Sequence, residues 1–313
     1  MWTTDTNEHL IRSNLWSKQI KEVLEDELIG MKYVRMITDF PDGDTLNIPS
    51  IGQAEVNDYV EDEAVQYTAM DTGNFTFTIN EYKSSATYVT RKMLQDSFYA
   101  SELVSSFVPK QSRAIMKSIE VDIFEAINSG QTASDLNAIN GANHRFVGGG
   151  TSEVIELEDF ARARYALQKA NVPMTNLVFI CDPSVEYTLT TLTSLVNVSN
   201  NPRWEGIVRD GISTGMKFVM NVFGFDVWVS QNLPTANETI DGKTTAAGKA
   251  NFFFSAAPDV LNTVGLIRQA PTVDSEFNKD RQREEYITTC RYGFKLFRPE
   301  NLVTVLTDTD QVS

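Results

Sequence analysis

Residues able to carry catalysis are few in this chain. Its two histidines, His9 and His144, lie in a polar N-terminal stretch and in the segment GANHRF, and neither falls in a metal-ligand spacing, which starves most acid–base and metal schemes. The two cysteines, Cys181 and Cys290, are far apart in apolar or alternating contexts and read as buried, reduced thiols. No CxxC, HExxH or Cys/His cluster offers a zinc site. One formal match exists: Gly211-Ile212-Ser213-Thr214-Gly215 fits G-x-S-x-G, the elbow that exposes the serine of an α/β hydrolase. Its context argues against it, because the preceding NPRWEGIVRD is no buried strand and no histidine follows Ser213. Gly148-Gly149-Gly150-Thr151 lacks the lysine of a phosphate-binding loop and reads as a flexible loop. DFPDGDTLN carries calcium-like carboxylates without the EF-hand spacing, and no cleft can be inferred around Glu61 and Glu63 for glycoside hydrolysis. The expectation is a non-enzyme with no catalytic residue, cofactor or metal.

The elements that would position any site are better marked. A length of 313 residues, 42% hydrophobic and 22% charged, suits one or two globular domains. Neither a secretion signal nor a window of 18 apolar residues is present, so a cytoplasmic start and no membrane partner are expected. Leu15, Trp16, Ile20, Val23, Leu24 and Leu28 fall at helical spacing, with Gly30 as the stop. Pro41-Asp42-Gly43-Asp44 is turn chemistry, Thr45 to Ile48 reads as a short strand ended by Pro49, and Phe75, Phe77 and Ile79 alternate with polar residues in a strand from Asn74 to Glu81. After Thr90, an expected N-cap, the chain turns helical. Val108, Ile115, Ile119, Ile123 and Ile127 then mark a helix of about 20 to 30 residues ending at Gly130, with Pro109 kinking it or marking its start.

The stretch QTASDLNAINGANHRFVGGGTSE reads as a loop or domain junction. An α/β unit follows: helix Leu157 to Ala170, strand Leu177 to Ile180, helix Pro183 to Leu192 capped by Asp182, and strands near Phe218 to Val222 and Phe225 to Val229. Cys290, Tyr292, Phe294 and Leu296 share one face of a late strand, and a turn at Arg298 to Asn301 is expected to send Leu302 to Leu306 back along it as a hairpin.

Charge narrows the partners. The net charge of −15 and pI near 4.6 disfavour a nucleic-acid groove or an anionic membrane surface. Between Met36 and Tyr82 there is no lysine or arginine, yet ten carboxylates occur, among them Glu55, Asp58, Glu61, Asp62 and Glu63. A solvated acidic face is the ordinary explanation of such a cluster. Here it lies between two strand-like segments, which makes a long hairpin or extended loop. An isolated two-stranded hairpin is marginal in water, so this one should rest on something outside itself.

Four passages, in order, give the chain a family likeness. LWSKQIKEVLEDELIG with GDTLNIPSIG (15–30, 43–52), YVTRKMLQDS with AIMKSIEVDIFEAINSG (88–97, 114–130), VFICDPSVEYTLTTL with NVFGFDVWVSQNLP (178–192, 221–234) and RYGFKLFRPENLVTVLTD (291–308) resemble the major capsid proteins of tailed double-stranded-DNA bacteriophages. The resemblance implies an α+β fold of the HK-97 type, in five pieces. These are an N-terminal arm over 1–39, an extended β loop over 40–82, a peripheral domain with a long spine helix over 83–155, an axial α/β domain over 156–264, and a return to the peripheral domain as a C-terminal β hairpin over 265–313.

The implied function is structural: a subunit that assembles into pentamers and hexamers of an icosahedral head enclosing DNA without reading its sequence. Portal, scaffolding and decoration proteins would be its partners, the virion its location and the host cytoplasm its place of assembly. The extended loop would then reach a neighbouring subunit. Phe75 and Phe77 would supply apolar contact there, and the acidic residues would face the densest basic cluster, Lys279, Arg281 and Arg283. Some family members cross-link through a lysine on this loop, but none occurs here between Lys32 and Lys83, so reinforcement should be non-covalent or come from a decoration protein. Because the arm-like helix starts near residue 10, a separate scaffolding protein is expected. The competing readings are an encapsulin-type nanocompartment shell and a serine hydrolase using Ser213.

Overall fold

A computed structural model describes residues 28–38, 45–51, 58, 61–62, 64, 72–96, 100–131, 136–192 and 221–308. The arm helix up to Glu27, the turn at Pro41 to Asp44, the strand residues before Asn221 and the Ser213 motif lie outside them.

The described strands are β1 (Val34–Met36), β2 (Thr45–Ile51), β3 (Thr72–Thr78), β4 (Glu81–Thr90), β5 (Arg145–Val147), β6 (Leu177–Cys181), β7 (Asn221–Val222), β8 (Phe225–Val229), β9 (Thr239–Ile240), β10 (Lys243–Thr244), β11 (Gly248–Ser255), β12 (Thr263–Asn278), β13 (Arg283–Leu296) and β14 (Val303–Asp308). The helices are α1 (Arg91–Asp96), α2 (Ala100–Ser129), α3 (Leu157–Lys169) and α4 (Pro183–Thr191). Two sheets dominate: a peripheral one ordered β1-β12-β13-β4 and an axial one ordered β5-β14-β11-β6-β8-β7. β2 and β3 pair with each other as a separate antiparallel ribbon, Thr45 opposite Thr78 through Ile51 opposite Thr72.

Helix α2 is the spine. It runs unbroken through Pro109, so that proline neither starts nor ends it. Ile115, Ile119, Ile123, Phe124 and Ile127 fill the seam between the two sheets, meeting Tyr292 and Leu296 of β13 on one side and Val178, Phe252, Phe254 and Leu306 of the axial sheet on the other. The opposite axial face, with Phe179, Phe253, Val303 and Val305, is closed by α3 through Phe160 and by α4 through Val185 and Leu189. A sheet covered on both faces needs near-continuous apolar strands, which explains LVFIC and NFFF. Helix α4 starts as expected, with the Asp182 carboxylate accepting from Ser184 N at 3.0 Å.

Several expectations are corrected. Pro49 does not end β2, which continues to Ile51 because a two-stranded ribbon tolerates a residue without an N–H at its edge. β4 was not foreseen; its inward residues are Glu81, Lys83, Ser85, Thr87 and Val89, too polar to show apolar alternation. The C-terminal hairpin does not exist: β13 pairs with β12 and β4, whereas β14 lies between β5 and β11. The buried Asn301 redirects the chain, exchanging 2.8 Å bonds with the Ser255 backbone and donating to Val260 O at 2.6 Å.

The supposed junction loop holds the buried strand β5, parallel to β14, with His144 and Arg145 wholly enclosed. The glycines after it are packed rather than flexible. A Cβ on Gly148 would sit 2.7 Å from Glu153 O, and Gly149 N donates to the buried Asp159 carboxylate at 2.9 Å.

Candidate interaction surfaces

Among the described residues, the peripheral sheet is covered on one face only. Its inner face meets the spine helix through Tyr292 and Cys290, and through the bond from Thr288 Oγ1 to Gln111 Oε1 at 3.1 Å. Strict alternation along β4 then turns Tyr82, Ser84, Ala86 and Tyr88 outward. Register places Tyr82 beside Arg291, Ala86 beside Ile287 and Tyr88 beside Glu285. Tyr82 is 63% exposed, Tyr88 58% and Ile287 38%. Arg283 spans the end of this face, its guanidinium 4.4 Å from the Tyr88 ring centroid and its Nε bonded to Glu285 at 2.6 Å. Amphipathic rings held this way offer large contact area at small entropic cost.

The expected contact residues separate into groups. Asp58, Glu61 and Asp62 are exposed, while Glu55 and Glu63 lie outside the described residues. Phe77 corrects its assignment: it is 0% exposed and packs within its own chain with Ile79 and Leu266. Phe75 is half-buried, its ring edge-on to Phe297 at 4.9 Å, and Lys295 Nζ donates to Thr76 O at 2.8 Å. The base of the ribbon therefore finds part of its support at home. Lys279 and Arg281 are exposed at the β12–β13 turn, whereas Arg283 is already engaged by Glu285 and Tyr88. Among the described residues, no ion pair joins Asp58, Glu61 or Asp62 to Lys279 or Arg281. The ribbon leaves β4 at Glu81, and the basic turn lies beside Thr90, a ten-residue strand away or roughly 30 Å.

Two buried polar joints were not legible in the sequence. Glu120, 1% exposed on the spine helix, accepts from Ile29 N at 2.7 Å, Gly30 N at 3.2 Å, Ser230 Oγ at 3.1 Å and Asn232 Nδ2 at 3.2 Å. Arg145 forms a fork with Glu238 at 2.9 and 2.6 Å and also donates to Asn128 Oδ1 at 3.1 Å. Only periodicity could have hinted at Glu120, since it falls on the inward side of a stripe of isoleucines.

A shallow cleft of about 210 Å³ opens between the ribbon base and the spine helix, lined in part by Glu81, Asp122 and Glu125. Beside it, Lys83 bridges Glu81 at 3.2 Å and Asp122 at 3.3 Å. Burial pulls the Lys83 ammonium down, but the two carboxylates outweigh it and raise its pKa. Tyr292, desolvated and donating to Asp122, titrates well above an ordinary phenol. Burial raises the Cys181 thiol far above its usual range and lowers His144, whose Nδ1 lies 2.8 Å from Leu302 O. These environments favour the uncharged thiol and imidazole and the paired ammonium, which suits structure rather than proton transfer. Among the described residues no cluster of histidine, cysteine and carboxylates could hold a metal, and no helix is long and apolar enough to cross a membrane.

Comparison with known proteins places this architecture. A family profile described as phage capsid protein matches residues 74–305. No curated protein matches the chain by sequence. Among solved structures, a chain from the capsid of cyanophage P-SCSP1u is similar at a TM-score of 0.71 and 13% identity, covering 96% of this chain and 93% of that one. A chain from Mycobacterium phage Che8 is similar at 0.67 and 16% identity, over 94% and 97% of the two chains. A chain from the capsid of a native GTA particle, computed with C5 symmetry, is similar at 0.63 and 9% identity, over 98% and 100%.

Proposed function

The chain belongs to the phage capsid protein family, and from that premise we propose that it is the major shell subunit of a tailed-phage head, arranged in pentamers and hexamers around double-stranded DNA. Its fold is the HK-97-type capsid fold. The observation that carries the reading is the match over 74–305, which spans the spine helix, most of both large sheets and the returning strand of the ribbon from Asn74. The one-sided peripheral sheet supports it, because a monomer gains nothing by exposing Tyr82, Tyr88 and Ile287 together.

Assembly in the host cytoplasm, with portal, scaffolding and decoration proteins as partners, completes the proposal. Within the shell, the acidic ribbon reaches the basic turn of a neighbouring subunit; the ribbon's base and that turn stand at opposite ends of β4. Glu55, Asp58, Glu61, Asp62 and Glu63 then face Lys279 and Arg281. Phe75 contributes at the ribbon base and Arg283 acts through Tyr88. Each exposed pair contributes about 0 to 1 kcal/mol, so the pairs set register while apolar contacts supply affinity. Repetition around closed rings multiplies the small terms.

Electron microscopy of the purified protein tests the function, with closed shells, tubes or rings expected. A protein that stays a small oligomer under all assembly conditions tried overturns it. Size and contents separate a DNA head from a nanocompartment. Reversing Glu61, Asp62 and Glu63 to lysine is expected to abolish normal particles while leaving the subunit folded, and normal particles from that variant would remove the ribbon contact.

A further inference from the structure

Glu120 stands where three parts of the subunit meet. Its two oxygens are divided between two of them. Oε2 accepts from Ile29 N and Gly30 N, at the turn Gly30–Tyr33 that leads the N-terminal segment into β1. Oε1 accepts from Ser230 Oγ and Asn232 Nδ2, which follow β8 at the edge of the axial core. The spine helix carries the carboxylate itself. Around it the packing is close: a Cβ on Gly30 would lie 3.3 Å from Glu120 Cγ and 3.5 Å from the Phe124 ring, so glycine brings this backbone near to the helix. Ser230 is fixed in turn, its N donating to Cys181 O at 3.0 Å and its Oγ accepting from Asn232 N at 3.3 Å.

A carboxylate this buried depends on all its donors, because each one lost leaves anionic oxygen unsolvated and loosens the geometry of the rest. We infer that Glu120 is a coupling residue: through one carboxylate it links the turn at Ile29 to Tyr33, which leads into β1, to the position of the axial sheet, so that neither shifts without the other. Moving the axial sheet along the spine withdraws Ser230 and Asn232 from Oε1. The carboxylate then turns, and the bonds to Ile29 and Gly30 lengthen with it. The coupling is reciprocal, so displacing the turn at Ile29 to Tyr33 loosens the axial side by the same factor. Its use rests on the proposed shell role, in which chemically identical chains settle into rings of different order and each needs a matched pair of arm and axial positions.

The test needs no shell, and so can fail or succeed independently of that role. Amide hydrogen exchange is followed in the full-length chain carrying S230A and N232A together. These substitutions leave the Oε2 bonds untouched, yet exchange at Ile29 and Gly30 is expected to accelerate about tenfold, with protection in β11 unchanged. Should the double variant fold poorly, S230A alone removes one donor and is expected to give about a threefold acceleration. E120Q, which replaces one acceptor with a donor, accelerates both sides. If Ile29 and Gly30 exchange at the wild-type rate in the Ser230 and Asn232 variants while E120Q exposes them, Glu120 is a local cap for the turn and the coupling is overturned.

Discussion

The axial and peripheral sheets meet the same spine helix but use it differently. The axial sheet is closed on both faces, by the helix on one side and by α3 and α4 on the other, and its centre is a cluster of phenylalanines. Phe179 and Phe253 stack at 4.0 Å, with Phe160 and Phe225 edge-on to Phe253 at 5.1 and 5.0 Å. The peripheral sheet is closed on one face, against inward residues as polar as Lys83, Ser85 and Thr87, and shows tyrosines on the other. One sheet is enclosed on both faces, and the other leaves Tyr82, Tyr88 and Ile287 exposed on its outer face. Stability and assembly should therefore respond to different mutations.

The largest effect should come from the axial centre. Phe253→Ala removes both the stack and the edge contacts and is expected to cost about 4 kcal/mol in denaturant unfolding. A loss below about 1 kcal/mol would erase the distinction between the sheets.

Next comes the joint between the axial sheet and the spine helix. Arg145→Met leaves the Glu238 carboxylate without its fork and should cost about 3 kcal/mol. Adding Glu238→Gln should restore part of that loss, and a double variant no more stable than the single one would show that packing, not the pair, matters at this site. The smallest effect on stability belongs to the outer face. Tyr82→Ser with Tyr88→Ser should stay within about 0.5 kcal/mol of the parent while particle yield by sedimentation falls sharply. A destabilised monomer with normal particle yield would invert the comparison.

The same contrast explains what the sequence made legible. Apolar runs bounded by caps and turns marked β6, β8, α3 and α4 to within a residue or two, and the isoleucine period marked the spine. Alternation of Phe75, Phe77 and Ile79 found the ribbon strand. What escaped was whatever depends on a distant partner. β4 pairs with β13 across some two hundred residues, and its inward side chains give no apolar signal. His144 and Arg145 look like loop residues until β14 arrives to bury them. A short turn after β13 suggests a hairpin with β14, but the bonds of Asn301 to Ser255 and Val260 and the ladders with β11 and β5 hold β14 in the other sheet. Glu120 escaped for the same reason, since its four donors come from segments about ninety residues before it and one hundred and ten after it.

The long strand β12 has one further consequence. β1 covers its outer edge only from Thr263 to Gly265, and β13 lies along its other side to Asn278. Past Gly265, among the described residues, no strand pairs with that outer edge. Such a border, with its unpaired N–H and C=O groups, is a ready template for pairing with another chain. Here the border is spoiled as a template. Its register slips between Ile267 and Gln269 and again before Thr272, Pro271 removes a donor, and Asp274 and Glu276 add like charge. An edge interrupted in this way is a poor template for adding a further strand.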